Sequence, residues 1–234
     1  YTVSMRDSTS SASGLRAIIA VHSTALGPAA GGCRIWTYDG SAAALTDALR
    51  LSRGMSYKNA VAGLALGGGK AVVIKPLQAF DREKLFLAFG RSVESLKGRY
   101  VTAEDVGMTV ADMDVIARET AHVAGRAVGR AASGDPSPKT AEGVFLALRI
   151  AVKRRLQRSN LEGLRVAVQG VGHVGLKLAQ LLHAAGAKLI VCDVDAQAVQ
   201  KAETELGARA VSLDAIYDQD VDVFSPCALG AVLN

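Results

Sequence analysis

The stretch LRVAVQGVGHVGLKLAQLLHAAGAKLIVCD, residues 164–193, decides how the second half of the chain folds. Its first five residues, which include Val166 and Val168, are read as a strand. The run enters Gly170-Val171-Gly172-His173-Val174-Gly175, and a helix is predicted over 176–185. A second strand at 189–192 ends on Asp193. Glycines at these positions permit a tight turn and close approach of a pyrophosphate, and the helix start offers its N–H groups to the phosphates. Asp193 stands roughly 20 residues beyond the first glycine, where an acid reaches a ribose hydroxyl. Its charge would repel a 2′-phosphate, so NAD is expected rather than NADP. The cofactor-binding set is therefore Gly170, Val171, Gly172, His173, Val174, Gly175 and Asp193, with Asp195 read as a helix cap. Strands at 208–211 and 221–224 follow, and the sequence stops at Asn234. A doubly wound sheet normally adds more strands, so this second, Rossmann-type domain reads as C-terminally incomplete.

Ahead of this unit, Ser137-Pro138 suits the N-cap and first position of a helix running to about Leu156. Residues 124–137 are rich in Gly, Ala and Ser and read as a linker. The expected domains are 1–132 and 133–234, the first an α/β substrate-binding and catalytic domain. In that first domain, residues 7–14 read as a loop and 15–21 as a buried strand. Residues 23–32 read as a turn-rich segment ending in Gly31-Gly32, which is either a tight turn or a place where a ligand meets backbone. Ser41 is read as the cap of a helix to about Ala62, whose stripe holds Ala48, Leu51, Met55 and Lys58. Lys58 on that stripe either snorkels to solvent or receives a carboxylate.

Gly67-Gly68-Gly69 reads as a break, after which Lys70 opens a strand over 71–74. Lys70 is either a solvated strand-end lysine or, if buried, one with a lowered pKa able to act as a base. A helix from Asp81 carries Leu85, Phe89, Val93 and Leu96. A strand at 100–103 ends in Glu104-Asp105, at the strand end where α/β proteins place working residues; turn formation is the alternative. Thr109 with Asp112 forms a capping box.

The 234 residues are half hydrophobic, so a sizeable core is available and a folded rather than disordered chain is expected. No uncharged apolar run of about 18 residues exists for a membrane span, and the first residues do not form a signal peptide. Three cysteines, Cys33, Cys192 and Cys227, have neither disulfide-framework nor zinc spacing, which fits a reducing cytoplasm and no metal. The net charge of +5 comes from scattered basic residues. Lys153-Arg154-Arg155 at a helix end is a solvated face, and the aromatic platforms of single-strand nucleic-acid binders are scarce. A basic balance suits small anionic ligands instead.

Seven stretches together resemble the amino-acid dehydrogenases for leucine, phenylalanine and valine in the glutamate dehydrogenase superfamily. They are HSTALGPAAGGCR (22–34), ALRLSRGMSYK (48–58), LGGGKAVV (66–73), RYVTAEDVG (99–107), SGDPSPKTAEGV (133–144), VAVQGVGHVG (166–175) and VFSPCALGAVLN (223–234). The resemblance implies a reversible, NAD-dependent oxidative deamination of a hydrophobic L-amino acid to a 2-oxo acid and ammonia. It implies that Lys58 receives the substrate carboxylate, Lys70 activates water as a low-pKa base, and Asp105 exchanges protons with the amino nitrogen. Gly31 and Gly32 would line the substrate site, and Met55, one turn before Lys58, joins the substrate-binding set. Thr140 would lie near the nicotinamide, with Pro226, Cys227 and Ala228 along the cofactor's other side. A homo-oligomer built through the first domain is also implied. The alternative is a non-catalytic NAD(H)-binding paralogue or an inactive truncated fragment.

Overall fold

The computed structural model describes residues 1–7, 13–127 and 134–229. It forms two compact units, Tyr1–Asp135 and Pro136–Asn234. The boundary expected at 132/133 lies outside the described residues. So do residues 8–12 of the expected loop, 128–133 of the expected linker, and 230–234 of the last motif.

The first unit is a five-stranded sheet with helices on both faces. Its elements are β1 (Thr2–Asp7), β2 (Arg16–Ser23), β3 (Ala29–Trp36), α1 (Ser41–Val61), β4 (Gly67–Ile74), α2 (Arg82–Glu94), β5 (Tyr100–Glu104) and α3 (Val110–Ile116). The sheet order is β1-β2-β4-β3-β5, with β1–β2 and β2–β4 antiparallel and β4–β3 and β3–β5 parallel. Successive side chains on a strand point to opposite faces, and the two faces bury different partners. One packs Ile18, Ala20 and Val72 under Ala44 and Ala48 of α1. The other packs Ile19, Ala71, Val73 and Tyr100 against Leu85, Phe86, Phe89 and Val93 of α2. Each fully buried aromatic here contributes roughly 1.5–3 kcal/mol by leaving water.

Two expectations change. Residues 23–32 are not one turn, since Ser23 ends β2 and Gly31-Gly32 lie inside β3. Gly67-Gly68-Gly69 is not a break but the first half of β4, so Lys70 is mid-strand. Glycine normally weakens a strand, but here close packing demands it. A Cβ on Gly68 would collide with Ser56 of α1, one on Gly67 with the Ser23 carbonyl, and one on Gly69 would sit 2.6 Å from the Tyr100 ring. Helix α1 can thus lie directly on β4, and Asn59 fastens its last turn by donating to the Gly67 carbonyl (2.6 Å).

Helix starts also differ in detail. Gly40, not Ser41, occupies the N-cap of α1, and the Ser41 hydroxyl accepts from Arg16 instead (2.8 Å). Asp81 caps α2, and the Thr109–Asp112 capping box closes at the start of α3.

The second unit has α4 (Ser137–Leu156), β6 (Arg165–Gln169), α5 (His173–Ala184), β7 (Lys188–Cys192), α6 (Ala196–Leu206), β8 (Arg209–Ala210), a 3₁₀ turn (Ala215–Asp218) and β9 (Val223–Pro226). Pro136 takes the N-cap of α4, one residue earlier than expected. Helix α5 starts at His173, not at Leu176, so the last glycine of the fingerprint, Gly175, already lies within it while Gly172 is its extended N-cap. The sheet is wholly parallel in the order β8-β7-β6-β9. Chain order reverses between β6 and β9, the kind of switch point where open α/β sheets bind ligands at the strands' carboxyl ends.

Gly68→Ala is expected to cost about 1–3 kcal/mol, the range for overpacking a filled site. Gly143→Ala, in α4 with nothing near the added methyl, should gain roughly 0.5–1 kcal/mol from helix propensity. Denaturant unfolding of both variants measures the contrast, and an unshifted midpoint for Gly68→Ala would contradict the packing described.

Candidate functional site

Strand periodicity gathers the charged groups of the first unit on the face that α1 shares. Lys70 pairs with Ala20 in the β2–β4 register, and both lie on the α1 side with Val72. In β3, Arg34 pairs with Val72 and so points the same way. Gly32 lies one residue pair before Arg34 on that face and is matched with Ala103 of β5. Asp105 follows directly after β5, and a Cβ on Gly32 would sit 2.6 Å from the Asp105 Cβ. Gly32 is therefore the gap in β3 into which the Asp105 side chain settles. Gly31 has a different cause, since a Cβ there would strike the Gly69 carbonyl and crowd Met55.

Lys70 Nζ lies 2.7 Å from Asp105 Oδ2, with the lysine side chain 6% and the aspartate 24% exposed. Arg34 Nε donates to the same oxygen at 3.1 Å, while its Nη1 meets Asp47 of α1 at 3.0 Å. The Tyr38 hydroxyl donates to that Asp47 oxygen at 2.7 Å. Burial pulls the Lys70 ammonium below the ordinary lysine value; Asp105 opposes the fall and Arg34 adds to it. Burial alone would raise the Asp105 carboxyl, but Lys70 and then Arg34 outweigh it and hold it below the usual carboxylate range. Burial also disfavours a charged Arg34, yet Asp105 and Asp47 more than compensate. A lysine with its proton loosened thus faces a carboxylate kept ionised, a pair able to pass protons to and from a bound molecule.

The remaining residues expected in the first site take defined places. Met55 is half-buried and Lys58 exposed on the last turns of α1, next to the anchored Asn59. Among the described residues Lys58 makes no ion pair, so its ammonium is available to an anion in solution. Sequence reasoning missed Arg34, Asp47 and Tyr38, because reading 23–32 as a turn hid the alternation that aligns Gly32 with Arg34. It also missed the Tyr100 hydroxyl, which donates to the Gly31 carbonyl at 2.7 Å and braces the glycine stretch of β3.

In the second unit, Gly170 follows β6 with φ +90°, a left-handed conformation that glycine adopts without strain. A Cβ there would sit 2.7 Å from the Ala228 nitrogen, and one on Gly175 would strike the Gly170 carbonyl and lie 3.2 Å from the Cys227 Cβ. Cys227 is tied back to β6 by its N–H, which donates to the Gln169 carbonyl at 2.7 Å. Cys227 and Ala228 therefore cross the glycine turn at the β6–β9 switch point. Gly172 has open space where a side chain would go, and no side chain caps α5, so the backbone N–H groups from His173 through Val174 to Gly175 begin an uncapped helix. An uncapped helix start of this kind can receive an anion such as a phosphate.

Asp193 follows directly after β7, with its Oδ2 accepting from the Val171 N–H (2.7 Å) and its Oδ1 from the Asp195 N–H (2.9 Å). Each oxygen keeps a lone pair for a ribose hydroxyl. Asp195 caps α6. Thr140 is exposed in the first turn of α4, its hydroxyl donating to the Pro136 carbonyl (3.0 Å), and no hydrogen bond among the described residues joins it to the glycine turn. A concavity of about 650 Å³ lies at the other end of the strands, lined by Arg165, Lys188 and Arg209. Its arginines are engaged with Asp220 and Gln219. No cluster of His, Cys, Asp and Glu among the described residues has metal-site geometry. No helix among them is long and apolar enough to cross a membrane.

Comparison with known proteins follows this division. The family pattern described as "Glu/Leu/Phe/Val dehydrogenase, dimerisation domain" matches residues 1–122. That of "D-isomer specific 2-hydroxyacid dehydrogenase, NAD binding domain" matches residues 139–229. Leucine dehydrogenase of Bacillus subtilis (strain 168) is 54% identical over 222 residues, covering 95% of this chain and 61% of that enzyme. Valine dehydrogenase of Streptomyces albus is 48% identical over 230 residues, covering 95% of this chain and 62% of the relative. The crystal structure of L-tryptophan dehydrogenase from Nostoc punctiforme superposes with a TM-score of 0.71 at 44% identity, covering 100% of this chain and 65% of that one. The chain thus spans about three fifths of the length of these curated relatives.

The electrostatics are testable without any ligand. Asp105→Asn removes the largest influence that raises the Lys70 pKa, so Lys70 should titrate at lower pH than in the parent. Lysine side-chain NMR titration of both proteins reads this directly; an unchanged or higher midpoint would contradict the assigned pair.

Proposed function

The chain belongs to the Glu/Leu/Phe/Val dehydrogenase family, and we propose that it catalyses the reversible NAD-dependent oxidative deamination of a hydrophobic L-amino acid to a 2-oxo acid and ammonia. The observation that carries this reading is the buried Lys70–Asp105 pair, on the sheet face shared with the helix that presents Lys58. Relatives named for leucine, valine and tryptophan support the choice of a hydrophobic substrate.

In this reading Lys58 takes the substrate carboxylate as a charge-assisted partner, a role for which its solvent-facing position leaves it free. Asp105, ionised, accepts a proton from the substrate ammonium and so frees the nitrogen lone pair that drives loss of hydride. NAD, when bound, supplies the acceptor for the hydride leaving Cα. The imine that results is attacked by water, and neutral Lys70 takes the proton that water loses. Asp105 then returns its proton to the nitrogen, the C–N bond breaks as ammonia departs, and the hydroxyl left by the water gives its proton to the freed Asp105 carboxylate as the carbonyl of the 2-oxo acid forms. Gly31 and Gly32 keep the β3 backbone free of side chains beside this pair, and Met55 offers an apolar wall.

The second unit would hold NAD through Gly170, Val171, Gly172, His173, Val174 and Gly175, with Asp193 on the ribose and Cys227 and Ala228 across the turn. Its carboxylate at Asp193 disfavours a 2′-phosphate. Thr140 is assigned to the nicotinamide side. Self-association through the first unit is part of the proposal, supported by its match to a dimerisation domain. So is residence in a reducing cytoplasm, supported by three free cysteines, two of them buried.

Incubation of the intact protein with NAD and single L-amino acids at alkaline pH, followed by NADH absorbance, should give turnover with at least one of Leu, Val, Ile, Phe or Trp. Lys70→Ala should lower kcat by roughly 10²–10⁴-fold, the contribution of a positioned base, and Lys58→Ala should chiefly raise KM for the amino acid. NADH binding without turnover on any amino acid would leave the binding-only alternative standing; a Lys70→Ala variant at parental kcat would remove the base.

A further inference from the structure

Lys70 and Asp105 do not form an isolated pair. Both the Lys70 ammonium and the Arg34 Nε–H converge on one atom, Oδ2 of Asp105, at 2.7 and 3.1 Å. Among the described residues the other oxygen, Oδ1, makes no hydrogen bond. A carboxylate held through one oxygen by a single flexible lysine could rotate and swing its second oxygen widely. A second donor from a different strand removes that freedom. The donor itself is fixed: Arg34 reaches Asp47 through Nη1 while Nε holds Asp105, and the Tyr38 hydroxyl donates to the same Asp47 oxygen. The guanidinium fork is planar and rigid, so one arginine can span two carboxylates in a set geometry that a lysine cannot reproduce. Arg34, Asp105 and Asp47 lie between 20% and 29% exposed and Lys70 at 6%, so the contacts work partly out of water.

We propose that Arg34 is a positioning residue of the proposed deamination site, clamping Oδ2 of Asp105 from the Asp47–Tyr38 anchor so that Oδ1 is the oxygen presented to the substrate nitrogen. The inference rests on the reading of Asp105 as the group that exchanges protons with that nitrogen. Arg34 touches neither substrate nor cofactor in this scheme and acts only through Asp105. It also sets the charge balance around the pair. The ionisable groups facing Asp105 are Lys70 from β4 and Arg34 from β3, with Asp47 and Tyr38 behind Arg34, while Cys33 and Tyr100 are buried on the opposite, α2 side of the sheet. Removing Arg34 leaves Asp105 with one cation instead of two.

The test uses the intact protein with Arg34→Gln, Arg34→Lys and Asp47→Asn, measuring kcat, KM and the pH dependence of kcat. Arg34→Gln should lower kcat by roughly 10–100-fold, the scale of a small misplacement of a working group, with KM for the amino acid little changed. The acid limb of its kcat profile should move to higher pH, because Asp105 loses a stabilising cation. Arg34→Lys should not restore kcat, since a point ammonium cannot hold both carboxylates. Asp47→Asn, which leaves Arg34 in place but loosens its anchor, should shift kcat in the same direction by less, and it serves if Arg34→Gln does not fold. An active parent with Arg34→Gln at parental kcat and an unmoved acid limb overturns this inference alone. A parent without turnover on any amino acid overturns the reading beneath it. If Arg34→Lys regains full kcat, charge alone is sufficient and the clamp is wrong.

Discussion

An ammonium group in the middle strand of a five-stranded sheet must have an anion within reach, and the first unit is built around supplying one. Removing one partner of a buried ion pair commonly costs about 3–5 kcal/mol, because the survivor is left desolvated and uncompensated. Lys70 could escape part of that cost by shedding its proton, and burial moves its pKa in that direction. That is the condition a proton-accepting lysine needs. The same Asp105 that keeps Lys70 charged enough to be tolerated is kept ionised by Lys70 and Arg34 in return. Structure and chemistry therefore depend on one contact of 2.7 Å.

That contact exists because backbone stands where side chains would otherwise be. Gly32 leaves the hollow that Asp105 fills, and Gly67, Gly68 and Gly69 let β2, α1 and Tyr100 close on β4. The Lys70 side chain beside these glycines is left only 6% exposed, with its head on Asp105. Asn59, donating to the Gly67 carbonyl, fixes the end of the helix that carries Lys58 and Met55. The second unit uses glycine for a different purpose. Gly170 takes a left-handed conformation and Gly175 sits on its carbonyl, so the turn is compact and its N–H groups are open at the β6–β9 switch point.

Local patterns in the sequence were sufficient where one rule dominated. The strand–glycine turn–helix–strand–Asp193 order, the Asp81 and Asp195 caps and the Thr109–Asp112 capping box are all present as expected. They are legible because a cap or a tight turn is decided by neighbours within a few residues. The glycine strands were not legible. Gly31-Gly32 and Gly67-Gly68-Gly69 carry a strong local preference for turns, and tertiary packing from α1, Tyr100 and Asp105 overrides it. That single misreading concealed Arg34, since its alignment with Gly32 and Lys70 follows only from strand pleat. Lys70 and Asp105 were singled out by chain position and by family resemblance; that their side chains meet depends on a parallel register between β3, β4 and β5 that periodicity does not encode.

The central claim is that this protein removes hydride from the α-carbon of a hydrophobic amino acid. The most direct measurement supplies the intact protein with NAD and L-leucine deuterated at Cα, then weighs the cofactor by mass spectrometry. The account predicts NADH carrying one deuterium, formed together with an equal amount of unlabelled ammonia and the corresponding 2-oxo acid. Cofactor that stays oxidised with leucine, and with valine, phenylalanine and tryptophan labelled in the same way, would contradict it.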